Sequence, residues 1–226
     1  MSKNSEIKTE AIVLKRTNYR EADRILMLIT PFGKKTALAK GVRKEKSKLA
    51  GSVEPFTITE MNSHEGKSEF LIVTGARCKK FYANLLKDLN KLEAASEILK
   101  KIMRASDAVD NPEHFELTKE CFDALNDGAD EEIVLAWFYL NLARTGGEEM
   151  NLHFDVEGKP LKEDERYVWD SIERTMRRDE KGEIGANEIK MLRLMVSAKL
   201  ALILRVKEAK DMAAELLYIA KSLNQI

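Results

Sequence analysis

Cysteine is nearly absent. The 226-residue chain has two, Cys78 and Cys121, separated by 43 positions with no Cys-x-x-Cys spacing. That excludes a disulfide framework and a zinc ribbon, and it suits a reducing cytoplasm. Histidine is as scarce: His114 and His153 stand alone, and His64-Glu65 lacks the second histidine of a zinc-protease pattern. Long apolar runs are missing too. The longest candidate, residues 198–206, is broken by Lys199 and Arg205, and the first ten residues are polar, so neither a membrane span nor a secretion signal is expected. Gly66-Lys67-Ser68 copies the end of a phosphate-binding loop, but the earlier glycine that motif needs falls on Met61. The segment also joins two predicted strands instead of opening a helix, which excludes nucleotide binding there.

What is present is charge, unevenly spread. The chain totals 38 basic and 38 acidic side chains, yet residues 1–80 hold 17 Lys or Arg against 9 Asp or Glu, net +8, leaving 21 against 29, net −8, for the rest. A basic N-terminal part attracts phosphate backbones and an acidic remainder repels them, which would confine a nucleic acid to one end of the chain. The competing explanation is mutual attraction of two oppositely charged halves.

The hydrophobic period changes near Phe81. Before it, short runs between turn signals predict five strands at about 7–16, 23–30, 34–42, 53–61 and 68–76. Thr30-Pro31-Phe32-Gly33 predicts a hairpin turn, and residues 62–66 a polar loop. Five such strands suggest a small barrel of the OB type. Ile25-Leu26-Met27-Leu28-Ile29 is apolar without alternation, so the second strand should be covered on both faces, one by the barrel and one by helices. After Phe81, Leu85, Leu86, Leu89, Leu92, Leu99, Ile102 and Met103 trace one face of a long helix. A second helix is predicted over 112–125, and a third after an Asp130 cap, with Trp137 in its core and Gly146-Gly147 ending it. Residues 150–162 read as irregular, with room for one short hairpin; helices are then expected at about 163–179, 187–205 (capped by Asn187) and 208–224. The predicted architecture is α+β: a five-stranded OB-type barrel over 1–80, then an all-helical domain over 81–226.

Lys34, Lys35, Lys40, Arg43, Lys44, Lys46 and Lys48 place seven cations within fifteen residues, opposed by Glu45 alone. Sequence-independent binding of single strands draws affinity from counterion release, which needs such density. Lysines on an edge strand also serve simply to block pairing between molecules. Alternation sends Lys34 and Lys40 to one face and Lys35 to the other, so residues 43–48, read as a flexible arm, become the preferred contact. Lys15, Arg16 and Arg20 extend the candidate patch. Tyr19, Phe32, Phe56 and Phe70 are candidate stacking platforms, the first two in loops and the last two inside strands. Glu21 and Asp23, beside Arg20 and Arg24, read as a turn or local ion pairs in preference to a catalytic carboxylate pair. No catalytic or metal-binding constellation emerges, so no enzyme activity and no cofactor are expected.

Several stretches together resemble the RecO family of bacterial DNA-repair mediators: Ala11-Ile12-Val13-Leu14-Lys15-Arg16, Glu21-Ala22-Asp23-Arg24-Ile25, Thr30-Pro31-Phe32-Gly33-Lys34, Ala39-Lys40-Gly41-Val42-Arg43, Ser47-Lys48-Leu49-Ala50-Gly51 and Glu54-Pro55-Phe56. The resemblance implies binding to single- and double-stranded DNA, annealing of complementary strands and help in loading RecA on coated single strands. It implies RecR and the acidic tail of single-stranded-DNA-binding protein as partners, and a cytoplasmic, nucleoid-associated site of action. Many members carry a four-cysteine zinc module where this chain has residues 146–162, which contain no cysteine. A metal-free loop is therefore expected. From another class, a non-catalytic OB-plus-helix adaptor for a protein partner, with no DNA contact, competes with this reading.

Overall fold

A computed structural model describes residues 6–66 and 70–223. Five strands, β1 (Glu6–Tyr19), β2 (Asp23–Thr30), β3 (Gly33–Ala39), β4 (Thr57–Glu65) and β5 (Leu71–Phe81), close into a barrel in the order β1-β2-β3-β5-β4. The β3–β5 pair is parallel, and β1 closes the ring antiparallel to β4. Ala11, Val13, Leu26, Leu28, Ala37, Ala39, Met61 and Val73 fill the interior, following the two-residue period of each strand. The polar segment expected as a loop after Met61 continues as strand to Glu65; Lys67 and Ser68 lie outside the described residues. Cross-strand pairing with β1 satisfies that polar backbone, which composition alone does not reveal.

The other face of β2 is covered, as its unbroken apolar run requires. Ile12, Ile29 and Ile58 are neighbours across the outer face and are buried, and α1 (Leu89–Ala108) and α2 (Glu113–Asn126) pack against β1, β2 and β3. These helices belong with the barrel to one compact unit, residues 1–126, and residues 127–226 form another. The predicted stripe of α1 is shifted: Ala94, Ala95, Ile98, Leu99 and Ile102 are buried, whereas Leu86 and Leu89 are exposed. Asp88 caps the helix through the Asn90 and Lys91 amides, so Leu85 and Leu86 lie before it in a separate single turn.

Polar interactions fasten the β2–β3 hairpin to the junction of α1 and α2. Lys34 pairs with Asp107, and its amide donates to Asp110 Oδ1 at 2.7 Å. Gly33 has φ +85° and lies so close to the Asp110 carboxylate that a Cβ would collide with it. Beside this junction the His114 ring, 1% exposed, is hydrogen-bonded through Nδ1 to Ser106 Oγ at 2.8 Å, tying α2 to α1.

The second unit departs from the all-helical expectation. It contains a three-stranded sheet, β6 (Asn151–Asp155), β7 (Tyr167–Asp170) and β8 (Thr175–Arg178), in the order β6-β8-β7. The helix expected over 163–179 is thus replaced by a hairpin. Tyr167-Val168-Trp169 are strand formers, Arg174 turns the chain at φ +52°, and burial of Tyr167 and Met176 rewards pairing over helix. Helix α3 (Glu131–Thr145) is capped by Asp130 as predicted and is buried on every side from Ile133 to Ala143. It packs on α4 (Ala186–Ser197) and on α6 (Ala213–Ser222). The helix expected over 187–205 breaks at Ala198 and resumes as the short α5 (Leu200–Ile203). Trp137 Nε1 donates to the Ala198 carbonyl at 2.9 Å and Asn141 to the Met195 carbonyl at 3.1 Å, so side chains of α3 satisfy the carbonyls that the break releases. Asn187 is not the cap. Gly185 is, with the Glu188 carboxylate accepting from its amide at 2.8 Å.

Gly33→Ala should destabilise the chain by about 1–3 kcal/mol, combining a left-handed backbone with a steric collision. Asp110→Ala in that background should recover only the steric part, which urea unfolding of the four combinations will separate. Burial holds the His114 pKa below its ordinary 6.5, against the opposing pull of Asp110 and Glu113. Its neutral form therefore stabilises the fold above that value, and the contribution is lost as pH falls below it. The urea midpoint should drop from about pH 7.5 to pH 5.5 more steeply in the parent than in His114→Gln.

Candidate nucleic-acid interface

One mouth of the barrel gathers positive charge because of an irregularity in β1. The register against β2 shifts between Val13 and Lys15, leaving Leu14 as a bulge. Beyond it Arg16 pairs with the core residue Leu26, and Asn18 with Arg24, so these polar residues inherit the inward face and line the opening. Lys15, opposite Met27, is exposed on the outer face. Arg16 and Arg24 both bind the Glu54 carboxylate, Arg24 at 3.1 Å, and Arg24 Nε also reaches Asn18 Oδ1 at 3.5 Å. Partial burial and the neighbouring Arg24 charge draw the Arg16 pKa below its usual value.

The segment after β3 meets this mouth, and it is not a free arm. Val42 and Val53 are buried in the barrel core and anchor the segment near both ends. Gly41 N–H donates to Asp23 Oδ1 at 2.7 Å and Arg43 N–H to the Ala22 carbonyl at 2.9 Å. Successive turns follow, with Ser47 N–H to the Lys44 carbonyl at 2.9 Å and Leu49 N–H to Ser47 Oγ at 3.3 Å. Asp23 therefore holds the turn that follows β3, 18 residues on, where its sequence context had suggested a local turn or ion pair. The Arg43 guanidinium approaches the Arg20 carbonyl at 3.4 Å, which brings the β1–β2 turn and this loop together. Lys40, Arg43, Lys44, Lys46 and Lys48 are exposed, and among the described residues no carboxylate pairs with any of them. Arg20, at φ +52°, lies over the Tyr19 ring at 5.1 Å.

Lys34 and Lys35 lie at the far end of β3, about 20 Å away at roughly 3.3 Å per residue. Lys34 is committed to Asp107, and Lys35, opposite Leu28, turns towards the inward face there. The structure thus assembles Arg16, Arg20, Lys40, Arg43 and Lys44 around one mouth, continues through Lys46 and Lys48, and separates Lys34 and Lys35 from them. Sequence reasoning missed Arg24 and Glu54 as parts of this mouth. The bulge that turns Arg16 inward has no sequence signature.

The aromatics divide differently. Tyr19, 37% exposed, ends β1 at the basic mouth, whereas Phe32, 67% exposed, tips the distant hairpin. Phe56 is not in a strand: it precedes β4 at φ +59° and packs on Phe122 with ring centroids 5.7 Å apart. Phe70 is half-buried just before β5.

Ser106 and His114 form the geometry of a nucleophile and base, but both are buried and their bond joins two helices. No helix among the described residues is long and apolar enough to cross a membrane. Among the described residues no three His, Cys, Asp or Glu side chains are grouped to hold a metal. In the segment after α3, Asp155 Oδ1 instead accepts the Glu157 and Lys159 amides at 2.9 Å each, and Lys159 Nζ pairs with Glu157. His153 and Asp155 do not make a structural zinc set.

Residues 1–93 match the family described as Recombination protein O N terminal, and residues 81–223 match Recombination protein O C terminal. The chain belongs to the RecO family. A DNA repair protein RecO of Dehalococcoides mccartyi is 32% identical over 154 residues, covering 67% of this chain and 60% of the relative. One of a Roseiflexus species is 30% identical over 149 residues, covering 65% and 52%, and one of Caldanaerobacter subterraneus is 36% identical over 121 residues, covering 53% and 49%. The matched part of the chain thus spans from about half to 60% of these RecO relatives' length.

Asp155→Ala should leave the Glu157 and Lys159 amides without their acceptor, costing roughly 1–3 kcal/mol locally. Hydrogen exchange should quicken at those two amides before it does in α3.

Proposed function

We propose that this chain is a DNA repair and recombination mediator that binds single- and double-stranded DNA through its barrel, anneals complementary strands and assists RecA loading on coated single strands. The observation that carries this reading is the set of exposed cations, without acidic partners among the described residues, on a loop pinned to the barrel mouth. Because turns and buried valines hold the loop, its cations are presented at little further cost in ordering. Charge of this kind grips phosphates and reads no base edges, so bases stay free to pair with a second strand. Annealing of that kind needs no covalent step, and the chain acts without enzymatic chemistry. Tyr19, exposed beside Arg20 at the mouth, offers a ring for a base to stack on.

The family supplies RecR and the tail of single-stranded-DNA-binding protein as the partners of this reading. The chain would act in the cytoplasm, at the nucleoid.

Replacing Arg43, Lys44, Lys46 and Lys48 by Ala should lower the slope of log affinity against log salt for a single-stranded oligonucleotide by up to about 3, at roughly 0.7 for each phosphate that is no longer neutralised. Annealing of complementary oligonucleotides should slow in parallel. Unchanged slope and rate would place DNA elsewhere, and no measurable binding by the parent at low salt would leave the adaptor reading.

A further inference from the structure

The mouth of the barrel holds two guanidiniums on one carboxylate. Arg16 and Arg24 converge on Glu54, two positive charges against one negative, so the cluster keeps a net charge of +1 after pairing. Like charges brought together this way need an anion between them, and a planar fork of guanidinium donors accepts a phosphate as readily as a carboxylate. The cluster is reachable: the side chains of Arg16, Arg24 and Glu54 are 36%, 21% and 36% exposed. Asn18 orients Arg24 from the opposite strand. The backbone at Glu54 is fixed without help from its carboxylate, because Val53 is buried in the core and Thr57 Oγ1 donates to the Glu54 carbonyl at 2.7 Å.

We propose that Arg16 and Arg24 form a fork for one backbone phosphate of single-stranded DNA, and that the Glu54 carboxylate occupies the phosphate's position in the free protein. The inference rests on the DNA-binding reading above and adds two residues to it, Arg24 as a direct contact and Glu54 as the group DNA must displace. Displacement exchanges one anion for another at a preformed fork. It therefore raises specificity for a polyanion over single small anions, which release too few counterions to compete with a tethered carboxylate.

The test is a double-mutant cycle in the full chain, read by binding of a fluorescent thymidine oligonucleotide across a salt series. Glu54→Gln should tighten binding by about three- to tenfold and steepen the salt slope by up to about 0.7. Glu45→Gln removes an equal charge from the same loop, where Glu45 has no ion pair among the described residues, and should gain less. Arg24→Ala should cost about twofold in the parent, where Glu54 already occupies the fork, and about tenfold in Glu54→Gln. Equal unfolding midpoints for parent and Glu54→Gln would show that the mouth is intact. Additive effects of the two substitutions, or a gain no larger than that of Glu45→Gln, would overturn the fork while parental binding still upheld the DNA reading. Weaker binding by Glu54→Gln would also overturn it, making Glu54 a positioning residue. Absence of any parental binding at low salt would instead remove the reading on which the fork depends.

Discussion

The arrangement of the basic mouth depends on burying two valines. Val42 and Val53 sit in the barrel core on either side of the lysine-rich segment, and their removal from water holds that segment against the barrel. With its ends fixed, the segment between satisfies its amides through turns and through Asp23 and Ala22, and its cations are directed outwards. A run of like charges would by itself repel and extend. Here the apolar anchors override that tendency, and the charges become a surface with defined neighbours: Arg20 across the β1–β2 turn and the Arg16–Glu54–Arg24 cluster at the opening.

The same logic of covering both faces explains the helices nearest the barrel. A five-stranded closed sheet with isoleucines on its outer surface needs a second layer, and α1 and α2 supply it within the same compact unit. Their attachment is polar at one end, where Asp107 and Asp110 hold the β2–β3 hairpin, and aromatic elsewhere, where Phe122 of α2 meets Phe56 and, edge-on at 5.4 Å, Tyr82. Lys34 is consumed in that attachment. A cation that sequence reasoning assigns to DNA therefore has a structural partner, since proximity along the chain says nothing about which carboxylate a folded helix brings near.

The second unit shows another way in which local pattern and tertiary structure part. Its segment after α3 has no cysteines, and Asp155 closes the turn there through backbone amides. Tyr167 and Trp169 belong to a strand, although the residues around them also permit a helical reading. Pairing with β8 and burial of Tyr167 decide between the two. The break at Ala198 has the same origin, because Trp137 and Asn141 accommodate a carbonyl pattern that no property of residues 195–199 announces.

Sequence by itself determined the order of a five-stranded barrel before helices, the hairpin at Thr30-Pro31-Phe32-Gly33, the Asp130 cap, the covered second strand and the concentration of cations between Lys34 and Lys48. These follow from period, turn chemistry and charge density, which are properties of neighbouring residues. Tertiary structure alone decided which cations meet. A bulge at Leu14 turned Arg16 inward beside Arg24, buried valines fixed the loop, and Asp107 claimed Lys34. Each outcome depends on a partner distant in sequence or on a one-residue change of register, and neither leaves a mark in the local pattern.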